Sequence, residues 1–320
     1  LLLVIAAIAL GRPALALEET KRYNESWPAT SVQTLEVDNK FGEVKVTNQG
    51  GADVTIDVVV TVEAPNRSKA RELLGQINVR FSESAGTVRA ETRLDSDFKS
   101  RNDFSIDYLV NIPTDKNLDI SNKYGNTFVN VLNASGNFDI QYGNFLANEL
   151  NTPANGSMEL LLAYGKGDVS LSNDLTVEVK YSTVNFGQVS ELDLESKYTV
   201  INLGEARSVQ ARSKYDTFNF EVVGSLSATT KYTHIKLDEL IENFDAEAEY
   251  GGIRIGEIDP AFGSVNITNS YGQVNLGLGD ASYTIDASCN FCDIDYPEGN
   301  FSGNSEKDNH TNTLQGKIGS

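Results

Sequence analysis

The sequence predicts an all-β protein: a right-handed, single-stranded parallel β-helix of about 17–22 residues per coil, with a small N-terminal β-sheet plus one helix as a cap. Three observations predict this fold. One aromatic residue recurs at a nearly constant interval, the residues around it alternate between apolar and polar, and Val, Ile, Thr, Phe and Tyr fill the repeat. A helical solenoid is excluded because an interval of 17 residues cannot hold two helices and their turns.

The N-terminus is typical of an export signal. An apolar run from Leu1 to Leu10 is followed by the small-x-small triplet Ala14 to Ala16. We therefore expect residues 1–16 to be part of a signal peptide and the mature chain to begin near Leu17. No later apolar run approaches the roughly 20 residues of a membrane helix. The expected location is exported, either periplasmic or at the cell surface or outside the cell.

The charge balance argues against one class of partner. The chain has 26 Lys and Arg against 45 Asp and Glu, a formal net charge of −19. Because such a surface repels phosphate backbones, we expect no nucleic acid partner.

Residues 17–113 are predicted to form a first coil and the N-terminal cap. The first coil is centred on Phe41 in VDNKFGEVKV. The cap comprises strands over 52–63, 77–82, 87–93 and 104–113. Between the first two of these, Asn66 can cap a helix whose apolar face is Ala70, Leu73 and Leu74.

The β-solenoid itself is predicted over residues 114–296. Its repeat is marked by one tyrosine per coil, at intervals of 17–22 residues: Tyr124, Tyr142, Tyr164, Tyr181, Tyr198, Tyr215, Tyr232, Tyr250 and Tyr271. Relative to Tyr181, apolar residues lie four and two positions before (Val177, Val179) and three and five after (Val184, Phe186). This is the period-two alternation of a strand, broken once at a corner.

The orientation of the tyrosine column decides its meaning. Tyr181 lies an even number of residues from the apolar Val177 and Val179, so strict alternation places all three side chains on the same face of the strand. This predicts an inward ladder of tyrosine rings that is part of the core. The alternative is an outward ladder, an aromatic platform of the kind that stacks on sugar rings. When the tyrosine points inward, alternation places the lysine before it, at positions 40, 123, 180, 197, 214 and 231, on the outside. It either protects solvent-facing strands from adventitious pairing or binds a ligand.

The series continues with Cys289, because IDASCNFCDI aligns with ITNSYGQVNL. In an exported protein Cys289 and Cys292 can close a local disulfide, and a redox site is the alternative. A zinc site is not expected, because neither His234 nor His310 has a ligand spacing. Residues 297–320 are predicted to be a C-terminal cap or a tail, anchored by Leu314 and Ile318.

Motifs of catalysis are missing from the sequence. It contains no nucleophile elbow, zinc-protease motif, phosphate-binding loop or complete EF-hand loop. We therefore predict no catalytic residue, no metal and no cofactor. For a polysaccharide-cleaving enzyme, the column that neighbouring coils would align is Glu178, Glu195 and Arg212.

The first coil contains VDNKFGEVKVTN, a strand–helix–strand insert and the segment Tyr108 to Pro113 follow, and aromatic-Gly-x-apolar-x-apolar coils then repeat. These motifs resemble the putative adhesin family of bacterial β-solenoid domains, whose function is uncharacterised. The coils of Tyr181, Tyr198, Tyr215 and Tyr232 depart from the family pattern by lacking the Gly. The resemblance implies an exported β-helix and supplies no catalytic residue. Our leading hypothesis is a non-catalytic adhesin-like or scaffolding module that binds an unidentified protein or glycan of the cell envelope. A carbohydrate-binding or polysaccharide-cleaving β-helix is the alternative, and the binding residues are unknown.

Overall fold

The computed structural model describes residues 17–319, so the predicted signal segment lies outside the described residues. The chain divides into two compact units, one ending at Gly156 and one beginning at Ser157. The first unit contains one helix, α1 (Arg67–Gly75), and eleven strands in its described part. They are β1 Leu17–Pro28, β2 Thr34–Lys40, β3 Val44–Thr47, β4 Asp53–Ala64, β5 Ile77–Ser84, β6 Thr87–Leu94, β7 Phe104–Asn111, β8 Asn117–Lys123, β9 Thr127–Leu132, β10 Gly136–Gln141 and β11 Phe145–Leu150.

The first unit is built on two parallel stacks of strands. One stack has the order β6-β2-β8-β10 and the other β7-β3-β9-β11. Strand β4 runs antiparallel to both β1 and β7, and β5 and β6 form an antiparallel pair. The inserted strands β6 and β7 thus extend the parallel stacks by one layer beyond the first coil.

Helix α1 begins as the sequence predicts. The Asn66 side chain accepts a hydrogen bond of 2.9 Å from the Lys69 backbone N–H. Ala70, Leu73 and Leu74 are buried, so the predicted apolar face of the helix is confirmed. At nine residues α1 is too short to cross a bilayer, and no other helix of residues 17–319 is a candidate span.

The second unit contains twelve strands within its described residues. They are β12 Met158–Ala163, β13 Lys166–Lys180, β14 Thr183–Lys197, β15 Val200–Lys214, β16 Thr217–Lys231, β17 His234–Glu249, β18 Ile253–Ile258, β19 Ser264–Ser270, β20 Val274–Leu276, β21 Tyr283–Asn290, β22 Phe301–Lys307 and β23 Thr311–Ile318.

Strands β13 to β17 stack in parallel, each on the next, and form the regular part of the second unit. In the 17-residue coils a bent strand of 15 residues is followed by a two-residue corner. Val177, Leu194 and Ala211 share one column of the register and are buried, as are the equivalent positions of the other regular coils. The predicted all-β parallel solenoid is confirmed.

The C-terminal strands differ from the prediction. Strand β21 does not join the parallel sheet but pairs antiparallel with β23, which also pairs with β22. Cys289 lies in β21 opposite Asn312, so it does not take the place of the next tyrosine. Leu314 and Ile318, the two expected anchors, are buried.

Candidate functional site: the tyrosine–lysine wall

The most regular surface of the second unit lies along the corners of its coils. We call it the tyrosine–lysine wall and define it by these residues: Tyr164, Tyr181, Tyr198, Tyr215, Tyr232, Tyr250, Tyr271, Lys180, Lys197, Lys214 and Lys231. Each of these tyrosines has a left-handed backbone, with φ between 51° and 63°. The backbone N–H of Tyr181 donates to the Lys197 carbonyl at 3.0 Å, and the same bond repeats at 3.1 Å from Tyr198 to Lys214.

The inward orientation predicted for these tyrosines is wrong. The seven rings of the wall are 40–81% exposed, and Tyr215 in the middle is 46% exposed. The strand ends at the preceding lysine, and the left-handed tyrosine reverses the alternation, so that its side chain points outward. In the corners of the regular coils the residue that turns inward is the one after the tyrosine, such as Thr199 or Asp216, and it is buried.

The rings of the wall stack on each other along the coil axis. Successive centroids lie 4.8–5.0 Å apart with interplanar angles of 1–15°. This distance matches the spacing of neighbouring strands, so the rings are offset-stacked. Each interior ring therefore has both faces against other rings and exposes its edge and hydroxyl. A flat platform for sugar rings, which needs free ring faces, is not what the wall offers.

The first unit carries a shorter version of the same arrangement. Phe41 stacks on Tyr124 at 5.1 Å and Tyr124 on Tyr142 at 5.0 Å, and all three have left-handed backbones. Tyr124 and Tyr142 are each 46% exposed, so the inward prediction is wrong here too. The ammonium of Lys123 lies 5.2 Å from the Tyr124 ring centroid, within cation–π range.

The lysines of the wall fall into two groups. Lys180 is bound to Glu178, and Lys231 forms an ion pair of 2.7 Å with Glu249; each contact raises the pKa of its lysine. Lys197 and Lys214 have no ion pair within the described chain and are exposed. The Lys197 ammonium lies 5.4 Å from the Tyr198 ring centroid. The middle of the wall is thus the part whose lysines have no ion pair within the described chain.

Buried polar side chains support the corners from inside. The hydroxyls of Ser182 and Thr199 donate to the carbonyls of Lys180 and Lys197, at 2.8 and 3.0 Å, and so close each turn from within. The side chain two positions before a tyrosine also forms a hydrogen bond with a side chain of the following coil, the one directly after that coil's tyrosine. An example is Ser213, whose hydroxyl lies 2.7 Å from that of Thr233.

Asp216 is the charged member of this buried row. Its carboxylate accepts hydrogen bonds from the hydroxyls of Ser196 and Ser213, at 2.7 and 2.6 Å, and from the Thr199 N–H at 2.6 Å. Burial is the largest influence on this carboxyl and raises its pKa above the ordinary value, against the opposing effect of the hydrogen bonds.

The other predicted residues are placed as follows. Glu178, Glu195 and Arg212 share one column of the register on the outside, as expected, but Glu178 is bound to Lys180 and Arg212 to Asp193. Cys289 and Cys292 are joined in a disulfide. Residues 17–319 contain no group of three or more His, Cys, Asp or Glu side chains arranged to hold a metal ion.

Two open depressions of about 430 and 310 Å³ lie away from the wall. The larger is lined by turn residues of the first unit such as Gln33 and Asn117, and the smaller by Phe291 and residues of the β22–β23 turn in the second. No residue of the tyrosine–lysine wall lines either of them.

The family follows from the sequence of nearly the whole described chain. The Toastrack DUF4097 family model matches residues 32–319. The chain belongs to the Toastrack DUF4097 family. The predicted resemblance to bacterial putative adhesins is thereby confirmed. No curated protein matches this Toastrack chain significantly.

Solved structures similar to this Toastrack chain include proteins from Parabacteroides and Bacteroides species. A putative adhesin from Parabacteroides merdae is 11% identical, with 80% of this chain and 96% of that chain covered and a TM-score of 0.46. A putative adhesin from Bacteroides fragilis is 14% identical, with 80% and 97% covered and a TM-score of 0.34. A putative lipid binding protein from Parabacteroides distasonis is 14% identical, with 80% and 96% covered and a TM-score of 0.37.

Proposed function

We propose that the protein is a non-catalytic, exported binding module of the bacterial cell envelope, adhesin-like in function, that holds an extended acidic glycan along the tyrosine–lysine wall. The observation that carries the proposal is the middle of the wall, where Lys197 and Lys214 lie in register on neighbouring strands without an acidic partner among the described residues. Stacked phenol hydroxyls run beside them. These hydroxyls can donate to or accept from sugar hydroxyls and carboxylates.

The geometry of the wall selects the shape of the ligand. Ring faces are covered by neighbouring rings, so recognition depends on hydroxyls and ammoniums repeated at about the strand spacing of 4.8 Å. A compact ligand could touch only a few of them, whereas a linear chain laid along the axis meets many in succession. Carboxylate or sulfate groups on that chain would pair with Lys197 and Lys214, and these local contacts must outweigh the repulsion by the net charge of −19, which salt screens beyond about 10 Å.

The binding test compares two variants of the full chain on acidic and neutral polysaccharides by surface plasmon resonance. Lys197→Ala/Lys214→Ala should lose about tenfold in affinity for the acidic polymer, because two exposed charge contacts of about 0.7 kcal/mol each together amount to that factor. Lys236→Ala is the matched control, because Lys236 lies away from the wall and pairs with Asp238 at 2.9 Å. Its affinity should change by less than about twofold. Equal losses in both variants, or no binding of any acidic polymer, would refute the proposal.

Two further measurements test the absence of catalysis and the export of the protein. The alternative, a polysaccharide-cleaving β-helix, predicts release of shortened chains that stops when Glu178 or Glu195 is replaced by Gln, and the non-catalytic proposal predicts no release. Export predicts that protein recovered from the periplasm or cell surface has an N-terminus near Leu17. Recovery with the segment before Leu17 intact, from the cytoplasm only, would contradict export.

A further inference from the structure

The parallel sheet of the second unit ends in an open edge. Strands β19 and β20 pair only with β17 and β18 within the described chain, so their other sides carry unpaired backbone groups. Val265 and Ile267, at positions that are buried in the regular coils, are half-exposed. Tyr271 is 81% exposed, against 40–49% for the six tyrosines before it. The last coil therefore lacks a neighbour on one side.

A polar side chain at this edge also lacks hydrogen-bond partners. The side-chain amide of Asn269 has no hydrogen-bond partner for either its oxygen or its nitrogen in the part of the chain described. Asn269 stands two residues before Tyr271, the position from which Ser196 and Ser213 reach the following coil. A following coil would bring side chains within reach of this amide, although Thr230, at the same position two coils earlier, lacks a partner with a coil in place.

Residues 283–296 have the pattern of that following coil. Phe291 has a left-handed backbone with φ of 59°, and β21 ends at the residue before it, as the strands of the regular coils end before their tyrosines. The apolar positions recur at Ile285 and Ala287 before Phe291 and at Ile294 and Tyr296 after it. Phe291 follows Tyr271 by 20 residues, inside the range of 17–22 shown by the other coils.

The disulfide fits the same assignment. Cys289 stands two before Phe291 and Cys292 one after it, which are the positions of Ser213 and Asp216 around Tyr215. Ser213 and Asp216 are hydrogen-bonded across their corner at 2.6 Å. The disulfide therefore closes the corner of Phe291 covalently, in the place where a regular coil uses a polar contact.

We propose that β21 docks in parallel on the open edge of β19, so that residues 283–296 become the last coil and Phe291 stacks on Tyr271. Strand β21 uses only one side to pair with β23, so its other side is free to do so. Phe291 is 81% exposed before docking, as Tyr271 is. In this register Thr268 faces Ser288 and Asn266 faces Asp286, so no like charges oppose each other. The β21–β23 sheet then covers the end of the core. The segment that covers the open edge thus belongs to the same chain.

Cysteine cross-linking tests the register directly. The variant Thr268→Cys/Ser288→Cys is made in a Cys289→Ser/Cys292→Thr background, because Ser and Thr at these positions copy the corner of Ser196 and Thr199. Docked strands place the paired Cα atoms about 5 Å apart, within the span of a disulfide. We expect mild oxidation to give an intramolecular disulfide in the monomer. The register-shifted pair Thr268→Cys/Asp286→Cys should react at least about tenfold more slowly, since its Cα atoms lie beyond about 7 Å.

A control pair keeps the test interpretable. Ser288→Cys/Thr313→Cys joins residues that face each other in β21 and β23, and it should cross-link whether or not docking occurs. If this pair forms a disulfide and Thr268→Cys/Ser288→Cys does not, docking is refuted. A disulfide between two chains would refute it as well, because the open edge would then belong to a second copy.

Hydrogen exchange tests the same claim in the unaltered chain. The Tyr250 N–H donates to the Ser270 carbonyl at 2.8 Å, and docking gives the Tyr271 N–H the equivalent acceptor, the Asn290 carbonyl. Exchange of the Tyr271 amide should then be slowed by more than about tenfold relative to a solvent-exposed loop amide. Exchange at the rate of a loop amide would overturn the proposal.

Discussion

Tyr215 offers the most direct test of what the ring stack contributes to stability. It stacks on Tyr198 at 4.9 Å and on Tyr232 at 4.8 Å. Aromatic pairs of this kind contribute about 0.5–1.5 kcal/mol each beyond area burial. Tyr215→Ala removes two of them and keeps a left-handed non-glycine residue. We therefore expect a loss of about 1–3 kcal/mol in the free energy of unfolding.

Two companion substitutions separate stacking from backbone conformation. Tyr215→Phe keeps both stacked pairs and should change the free energy of unfolding by less than about 0.5 kcal/mol, because the Tyr215 hydroxyl is at the surface. Tyr215→Gly loses the stacking but relieves the left-handed conformation, with φ of 63°. It should be up to about 1 kcal/mol more stable than Tyr215→Ala.

The assay is urea unfolding followed by far-ultraviolet circular dichroism. The slope of the transition with urea concentration should be the same for all variants. A changed slope would show that some coils unfold separately, and the free energies could then not be compared. A loss below about 0.5 kcal/mol in Tyr215→Ala would refute a stabilising stack. A glycine variant less stable than the alanine variant would refute the role assigned to the left-handed corner.

Three further predictions concern other parts of the solenoid. Because burial raises the pKa of Asp216, the folded state loses stability as pH rises from the ordinary pKa of 3.8 through the raised value. Asp216→Asn should remove this loss. The variant should then match the thermal stability of the wild type at low pH and exceed it at neutral pH. Equal pH profiles would contradict it. Gly125→Ala should cost more than about 2 kcal/mol in urea unfolding, since its Cβ would lie 1.8 Å from the Gly42 carbonyl oxygen; a neutral effect would contradict the close approach. Tyr271→Ala should cost about as much as Tyr215→Ala if Phe291 covers its free face, and about half as much if it stacks on Tyr250 alone.

The coil could be predicted from the sequence because its period is carried by many residues at once. The interval of 17 residues places Glu178, Glu195 and Arg212 in one column, and the structure has them in register. Alternation on both sides of each tyrosine likewise predicts which apolar side chains form the core. These properties depend on strand geometry alone, which a local pattern determines.

The orientation of the tyrosines could not be obtained by extending that alternation. Parity holds only while the backbone stays extended, and the left-handed residue at each corner reverses it. A signal was available in the next residue, which is small or polar in the regular coils, as Ser182 and Thr199 are, and is the one buried. Cys289 was placed in the series by aligning IDASCNFCDI with ITNSYGQVNL, whereas the left-handed residue of this segment is Phe291, two positions later.

The corner also explains why tyrosine can stand where glycine or asparagine is the usual choice. A left-handed conformation costs a non-glycine residue about 1–2 kcal/mol, and two stacked aromatic pairs stabilise the fold by about the same amount. This gain depends on neighbouring coils being in register, because a shift of one residue would set a ring against a residue beside the next tyrosine, such as a lysine, instead of against another ring. The stack therefore favours one register over its neighbours. The same contacts cover the ring faces, so the surface that fixes the register leaves only hydroxyls, ring edges and lysines for a ligand to meet.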